Sequence, residues 1–124
     1  MTMLDDPKTL RVLDAIPDAV LIVSVGGTIE WANTRAEQVF GCSRPELVGR
    51  RVEDLLPADL RELHERHREA YSASPTARPM GRGMKLVACR KDGTRFRVEI
   101  ALSPSPEGKH VICVVRDLSE FLRA

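Results

Sequence analysis

Two histidines, His64 and His67, are the side chains of this chain best placed to bind a metal ion or another polar ligand. They are three residues apart in a segment with helical periodicity, so both rings fall on or beside one helix face. Such a pair could contribute two ligands to a zinc ion, but no third ligand follows at the spacing of a zinc motif. The sequence therefore leaves two interpretations open: one imidazole binds a cofactor, or both rings have only a structural role.

Three cysteines, Cys42, Cys89 and Cys113, are odd in number and far apart in the chain. This pattern is typical of reduced thiols and not of a disulfide framework, so we expect a cytoplasmic location. The short-spaced cysteine pair of a zinc or thioredoxin-like site is missing. Cys89 and Cys113 fall in predicted strands, where cysteine commonly acts as a small apolar side chain.

The sequence contains no motif of a catalytic centre. It has no glycine-rich phosphate loop, no nucleophile elbow and no carboxylate pair in an apolar setting. We therefore expect the domain itself to be non-catalytic, so that any enzyme activity belongs to a longer parent protein.

Composition predicts one soluble globular domain. The chain has 124 residues, of which 43% are hydrophobic and 30% charged, enough for a single core. A formal net charge of +1 gives no reason to expect nucleic acid as a partner. No apolar run approaches the roughly 20 residues of a membrane-spanning helix, so we expect no membrane span in this segment.

The two histidines lie in the longest predicted helix, Ala58 to Tyr71. Apolar and aromatic residues recur there at steps of three and four, which predicts one buried stripe. The residues of that stripe are Leu60, Leu63, His64, His67, Ala70 and Tyr71.

The stretch from Met84 to Leu102 predicts a β-hairpin around the turn Lys91-Asp92-Gly93-Thr94. Apolar residues alternate with charged ones along the return strand, so one face is built for burial. A further strand, residues 110–115, follows a turn rich in proline and glycine. The side chains that we expect on the inner face of this meander, as candidate lining of a ligand pocket, are Met84, Leu86, Phe96, Val98, Ile100, Leu102, Val111 and Cys113.

The remaining segments predict a simple order of elements. Residues 1–9 form a flexible N-terminal segment that overlaps the start of a short helix over 9–16, and residues 19–31 form a first hairpin across Gly26-Gly27. Several short helical turns follow over 33–57. Asn33 and Thr34 can both cap the first, and capping-box patterns occur at Thr34 with Glu37 and at Ser43 with Glu46. Residues 72–83 are predicted to be a loop, and a new helix is expected to begin near Asp117 or Ser119.

This order of elements resembles the PAS sensory domain, or sensory box, of the kind found in bacterial sensor histidine kinases. The resemblance covers about residues 10–120 and depends on the order and spacing of several short motifs. These are Ile16-Pro17-Asp18-Ala19-Val20, Trp31-Ala32-Asn33, Phe40-Gly41, Glu46-Leu47-Val48-Gly49, Leu55-Leu56-Pro57, Arg90-Lys91-Asp92-Gly93-Thr94-Arg95-Phe96 and Arg116-Asp117-Leu118-Ser119.

The resemblance implies an α+β fold in which short helices cover one face of a five-stranded antiparallel sheet. It implies a sensory domain over residues 10–118 and the start of a C-terminal output helix over 119–124. Asp117 and Ser119 match the family's Asp-x-Thr junction, with Ser in place of Thr, and would have the signalling role. The family's function is signal transduction, so the parent is expected to be a two-component histidine kinase or another signalling enzyme.

The same resemblance gives His64 a specific candidate role. Haem-binding oxygen sensors of the family carry the iron-ligating histidine on the longer helix, and ungapped placement of the flanking motifs puts His64 at that position. Where those sensors present an arginine to bound gas, this chain has Met84, which favours a redox or carbon monoxide response. Cys42 lies between Gly41 and Ser43, unlike the Asn-Cys-Arg signature of flavin photosensors.

Three functions remain open at this point. The domain binds a small apolar ligand or a partner and signals through its C-terminal helix, or it is a haem-based gas or redox sensor, or it is a ligand-free dimerisation scaffold. The apolar side chains of Leu10, Leu13 and Ile16 need to be buried against another surface, and the outer face of the sheet could form an interface. We therefore expect a homodimer or an interface with a covalently linked output domain.

Overall fold

The computed structural model describes residues 2–73, 78–80 and 86–119 of the chain. Its centre is an antiparallel sheet whose strand order is β2-β1-β6-β5, with β3 and β4 both paired to β5 at the far edge. Since β3 pairs with residues 100–102 and β4 with residues 95–98, the two fill one edge position in succession. The sheet is five strands wide, as predicted. The strands are β1 (Ala19–Ser24), β2 (Ile29–Ala32), β3 (Arg78–Met80), β4 (Leu86–Cys89), β5 (Arg95–Pro104) and β6 (His110–Asp117).

Strand β5 follows the predicted alternation. Phe96 and Val98 are buried, whereas Arg95 and Glu99 are exposed. The turn before it is closed by a hydrogen bond from the Arg90 backbone N–H to the Thr94 carbonyl oxygen, at 2.9 Å. Gly93 has φ +89°, which glycine adopts without steric cost. The predicted hairpin of β4 and β5 is confirmed for the described residues.

One predicted loop is partly wrong. Composition predicted a loop over residues 72–83, but residues 78–80 form strand β3 beside β5. Proline is tolerated in an edge strand, because an edge strand has one side without ladder partners. The proline and glycine content of this stretch therefore hid a short strand.

Helices pack on both faces of the sheet. They are α1 (Pro7–Asp14), α2 (Thr34–Phe40), α3 (Arg44–Leu47) and α4 (Arg61–Ala73), with 3-10 turns at Met3–Asp5, Val52–Leu55 and Ala58–Leu60. Helices α2 and α3 enclose the main core with β1, β5 and β6, and α4 lies over the same face of the sheet. The sequence predicted a flexible segment over residues 1–9; here a 3-10 turn occupies Met3–Asp5 and α1 begins at Pro7.

The caps of the short helices differ in how well the sequence predicted them. The capping box of Ser43 and Glu46 at α3 is confirmed. The predicted box of Thr34 and Glu37 is wrong: Asn33 caps α2, since its Oδ1 accepts the Ala36 backbone N–H at 2.9 Å. The Glu37 carboxylate instead accepts the Arg44 backbone N–H at 2.8 Å. Glu37 thereby joins α2 to α3.

The N-terminal segment covers the outer face of the sheet. Leu10, Leu13 and Ile16 pack against an apolar cluster that includes Val20 and Trp31. The sequence predicted that a second copy or an output domain would bury these residues, but they are partly buried by contacts within the chain. The prediction of a homodimer loses this support.

Candidate functional site

A cavity of about 310 Å³ lies between helix α4 and the concave face of the sheet. Its volume is at the lower end of the roughly 300–1,000 Å³ typical of small-molecule sites. Most of its wall is aliphatic, and its polar side chains lie on α4 except for Ser24 at the end of β1. The lining residues from the sheet include Leu21, Val23, Leu86, Ile100, Leu102, Val111, Cys113 and Val115, and those from the helices and turns include Phe40, Val52, Leu55, Leu60, Leu63, His64, His67, Arg68 and Tyr71.

The structure brings together five of the eight residues that the sequence placed in a pocket wall. These five are Leu86, Ile100, Leu102, Val111 and Cys113. Phe96 and Val98 belong instead to the packed core beside the cavity, where they are 6% and 2% exposed. Met84 lies outside the described residues. Strand alternation placed all the described residues of this set on one face of the sheet, but it did not separate those at the cavity from those in the core.

Helix α4 is rotated relative to the predicted stripe. His64, Glu65 and Arg68 are half-buried and Tyr71 is buried, whereas Leu63 is 52% exposed and His67 is exposed. Leu63 and His67 still line the cavity, so they lie at its rim. The rotation follows from an ion pair that draws Arg68 inward.

That ion pair is centred on Glu53, a buried carboxylate that the sequence did not single out. Oε2 of Glu53 lies 2.8 Å from Nδ1 of His64 and 3.2 Å from Nε of Arg68. Its other oxygen, Oε1, lies 3.4 Å from Nη2 of Arg51. The Glu53 side chain is only 5% exposed, so these partners compensate a charge that would otherwise be costly to bury. We refer to Glu53, His64 and Arg68 as the carboxylate cluster.

Arg68 also fixes α4 to the first hairpin. Its Nη1 donates to the Val25 carbonyl oxygen at 3.3 Å, and the guanidinium lies against the turn at Gly27. A Cβ at Gly27 would lie 2.7 Å from Cζ and Nε of Arg68. Only a residue without a side chain leaves room for the guanidinium there.

The histidine pair does not form a metal centre with other side chains of the described residues. No group of three or more His, Cys, Asp or Glu residues that could hold a metal ion occurs there. Cys42 and Cys113 are buried free thiols, and burial raises the pKa of Cys113 to about 12. A thiol with that pKa is protonated and unreactive at neutral pH. Cys113 thus contributes apolar surface to the wall.

Arg90, directly before the Lys91-Asp92-Gly93-Thr94 turn, contacts the C-terminal segment at Asp117 and Ser119. Its Nη2 lies 3.2 Å from Oδ2 of Asp117 and 3.5 Å from Oγ of Ser119. Burial raises the pKa of Asp117, but hydrogen bonds from Ser119 and the Arg90 guanidinium outweigh burial and leave it below its usual value. The Ser119 backbone N–H donates to Oδ1 of Asp117 at 2.8 Å. The expected helix beyond Ser119 lies outside the described residues.

Arg90 also contacts the interior of the domain. Its Cζ lies 3.9 Å from the ring centroid of Phe96, and its Nη1 donates to the Val39 carbonyl oxygen at the end of α2. The Phe96 ring packs edge-on against Phe40 with centroids 5.9 Å apart, and Phe40 lines the cavity. A continuous set of contacts therefore joins the cavity wall to Asp117. A basic residue just before a strong turn motif was the only sequence signal for this role.

Comparison with known proteins agrees with this architecture. The family model described as the PAS fold matches residues 9–118. The sensor protein FixL of Bradyrhizobium diazoefficiens is 31% identical over 111 residues, which cover 88% of this chain and 22% of FixL. The oxygen sensor protein DosP of Escherichia coli is 31% identical over 101 residues, which cover 80% of this chain and 13% of DosP. The chain thus spans less than a quarter of the length of either relative.

Among solved structures, the PAS domain of a LuxR-family transcriptional regulator from Burkholderia thailandensis, in complex with ethanol, superposes with a TM-score of 0.71. The match covers 92% of this chain and 98% of that one at 22% identity, so it shows the shared fold. No helix within residues 2–73, 78–80 and 86–119 is long and apolar enough to span a membrane.

Proposed function

This chain belongs to the PAS family, and on that basis we propose that it is a sensory module that binds a small apolar molecule in the cavity and signals through its last strand. The output is a domain linked to its C-terminus in a longer protein, such as a cytoplasmic sensor histidine kinase. The domain itself has no catalytic role in this proposal.

The observation that carries the proposal is the position of strand β6. Cys113 and Val115 form part of the cavity wall, and the same strand ends two residues later at Asp117. A molecule in the cavity therefore contacts the strand that leads to the junction. It shifts the junction only if it binds two arrangements of the domain with different affinity. The contacts from Phe40 through Phe96 to Arg90 provide a second connection.

The first test is native mass spectrometry of the freshly purified domain. We expect a mass above that of the polypeptide, from a copurifying small molecule, and loss of that excess in Leu102→Phe, which fills the cavity. Glu99→Gln, on the exposed side of the same strand, is the matched control and should retain it. A wild-type spectrum without any added mass would favour the ligand-free scaffold, and the same spectrum reports whether the domain is a homodimer.

The coupling requires a test in the longer parent protein. Asp117→Asn removes the charge that Arg90 binds and should change the dependence of output activity on the signal. Asp92→Asn, at the exposed turn, is the control. Output that responds identically in wild type and Asp117→Asn would argue against transmission through this junction.

A haem-based gas or redox sensor is the second candidate, and the carboxylate cluster favours it. The residues fit haem in two respects: His64 lines an apolar cavity, and Glu53 binds the ring nitrogen that a metal would not use. Carboxylate partners of this kind orient metal-binding histidines. When bound, haem would supply an iron centre that changes with gas or redox state, and His64 would be its ligand.

An absorbance spectrum after reconstitution with haemin tests the second candidate. We expect a Soret band in the wild type and in His67→Gln, and its loss in His64→Ala. Because His67 also lines the cavity, this control separates loss of an iron ligand from loss of any polar side chain at the rim. Absence of the band in the wild type would eliminate this function.

A further inference from the structure

Glu53 determines which nitrogen of His64 is available to a ligand. A carboxylate only accepts hydrogen bonds, so Nδ1 of His64, at 2.8 Å from Oε2, must carry the proton that lies between them. Glu53 does not line the cavity, whereas His64 does. The contact with Glu53 therefore occupies the Nδ1 edge of the ring and leaves the Nε2 edge for the cavity.

The charge of Glu53 is already compensated by other side chains. Arg68 and Arg51 both lie within ion-pair distance of its carboxylate, and Arg68 is only 13% exposed. The contact between Glu53 and His64 therefore does not need an imidazolium to balance the buried charge. Within the described residues, Nε2 has no side-chain or backbone group at hydrogen-bond distance. Nε2 is thus the ring nitrogen that a molecule in the cavity could contact.

We propose that Glu53 is a positioning residue that holds His64 in the tautomer protonated at Nδ1, so that the Nε2 lone pair selects the ligand of the cavity. The ligand class that follows is an apolar molecule with one group that accepts this lone pair, either a hydroxyl or N–H donor or a metal centre. This inference rests on the proposed ligand-binding function and specifies its chemistry. An apolar molecule without such a group gains nothing from His64.

The tautomer is measured without any ligand by ¹⁵N NMR of the histidine side chains in the complete 124-residue chain. We expect Nδ1 of His64 to be protonated and Nε2 to be bare. In Glu53→Gln the side-chain amide can either donate or accept, so both tautomers should be populated. Glu65→Gln is the matched control, because Glu65 contacts Arg51 and Arg68 but not His64, and it should leave the tautomer unchanged.

Glu53→Asp is a second variant, which keeps the buried negative charge and so should still fold if Glu53→Gln does not. Its shorter side chain should withdraw from His64 while remaining paired with arginine. We expect it to shift the tautomer in the same direction as Glu53→Gln. A wild-type His64 protonated at Nε2, or a tautomer unaffected by both Glu53 variants, would overturn the proposal.

Phenol and toluene test the ligand class, because they have similar shapes and only phenol can donate to Nε2. Since one hydrogen bond is worth about three- to tenfold in affinity, His64→Ala should weaken phenol binding by that factor. Glu53→Gln should weaken phenol binding less, because a fraction of His64 still presents the Nε2 lone pair. Both variants should leave toluene affinity within about twofold. Haemin tests the metal arm, and its affinity should fall about 10- to 100-fold in Glu53→Gln. If neither phenol affinity nor haemin affinity changes in these variants, the proposed ligand class is refuted.

The two levels of the proposal fail in distinguishable ways. If toluene and phenol both fail to bind the wild type, the cavity is not a ligand site, and the proposed function fails together with the ligand class. The NMR result would then still decide whether Glu53 fixes the tautomer. If toluene binds and the His64 tautomer is the same in the wild type and both Glu53 variants, only the inference about Glu53 is wrong.

Discussion

At the residue scale, Asn33 joins three parts of the fold. It is fully buried, and its Oδ1 accepts the backbone N–H groups of Val20 and Ala36, each at 2.9 Å. Its Nδ2 donates to the carbonyl oxygens of Leu13 at 3.0 Å and Asp18 at 3.1 Å. All polar atoms of the side chain are therefore satisfied, and the end of α1, strand β1 and helix α2 share one hydrogen-bonding centre.

We expect Asn33→Ala to lower the free energy of unfolding by about 2–4 kcal/mol, because several buried backbone groups lose their partner together. Urea denaturation monitored by circular dichroism measures this loss. Gln38→Ala, which removes an exposed amide on α2, should change stability by less than about 0.5 kcal/mol. Equal stability of the two variants would contradict the role assigned to Asn33.

The cysteines give a second prediction at this scale. Burial raises the pKa of Cys113 to about 12 and also raises the pKa of Cys42, whereas Cys89 is half-buried on β4. Only the thiolate reacts, so iodoacetamide at pH 8 should modify Cys89 first and Cys113 last. Mass mapping of the alkylated protein measures the order. Fast modification of Cys113 in the folded protein would show that the cavity wall opens readily.

At the element scale, the contact of α4 with the first hairpin depends on Gly27. Gly27 has φ +93°, and Arg68 fills the space where a side chain would lie. Arg68 cannot move away cheaply, because its guanidinium pairs with Glu53 and donates to the Val25 carbonyl oxygen. The turn and the ion pair therefore stabilise each other and hold α4 over the cavity.

Gly27→Ala should consequently cost more than the same change at Gly93. Both glycines have positive φ, so alanine strains each turn by roughly 1 kcal/mol, but Gly93 has open space around it. We expect an additional loss of about 1–2 kcal/mol at Gly27 from displacement of Arg68. Thermal and urea denaturation of the two variants measure the difference. Equal losses would mean that Arg68 adjusts freely.

At the scale of the whole molecule, carboxylates join elements that are distant in sequence. The Thr34 backbone N–H is the main group that lowers the pKa of Asp14, against an opposing effect of burial, and Arg44 adds to the lowering. The pKa of Asp117 is also lowered, because hydrogen bonds from Ser119 and Arg90 outweigh the opposing effect of burial. A hydrogen bond from Lys91 holds the pKa of Glu46 at about 2. Each of these groups is ionised in the folded domain at neutral pH.

The pH dependence of stability follows from these directions. A carboxyl whose folded pKa lies below its unfolded value of about 4 stabilises the fold above pH 4, and this contribution disappears as pH falls through the folded pKa. We expect the free energy of unfolding to fall steadily from about pH 4 towards pH 2. Asp14→Asn should make that fall shallower, as measured by urea denaturation across pH. A slope that is unchanged in this variant would exclude Asp14 as a contributor.

The sequence by itself determined the local elements. Alternation along Phe96, Val98 and Ile100, the Asp92-Gly93 turn and the Ser43 cap depend only on residues close together in the chain, so the sequence was enough to predict them. The order of these elements was also enough to indicate the family and a sheet whose inner face encloses a pocket. The prediction of a loop over residues 72–83 was partly wrong because it rested on local proline and glycine content. Formation of β3 depends on pairing with β5, a strand about 20 residues further along the chain.

Only the tertiary structure decided which polar side chains lie beside the cavity and which contact Asp117. His64 and Glu53 are 11 residues apart, and Arg90 and Asp117 are 27 apart. His64 meets Glu53 because α4 packs over the sheet with Arg68 against Gly27, whereas Arg90 meets Asp117 because β4 and β6 both pair with β5. A carboxylate enters the interior only where cations can compensate it, and periodicity in sequence carries no record of those distant partners.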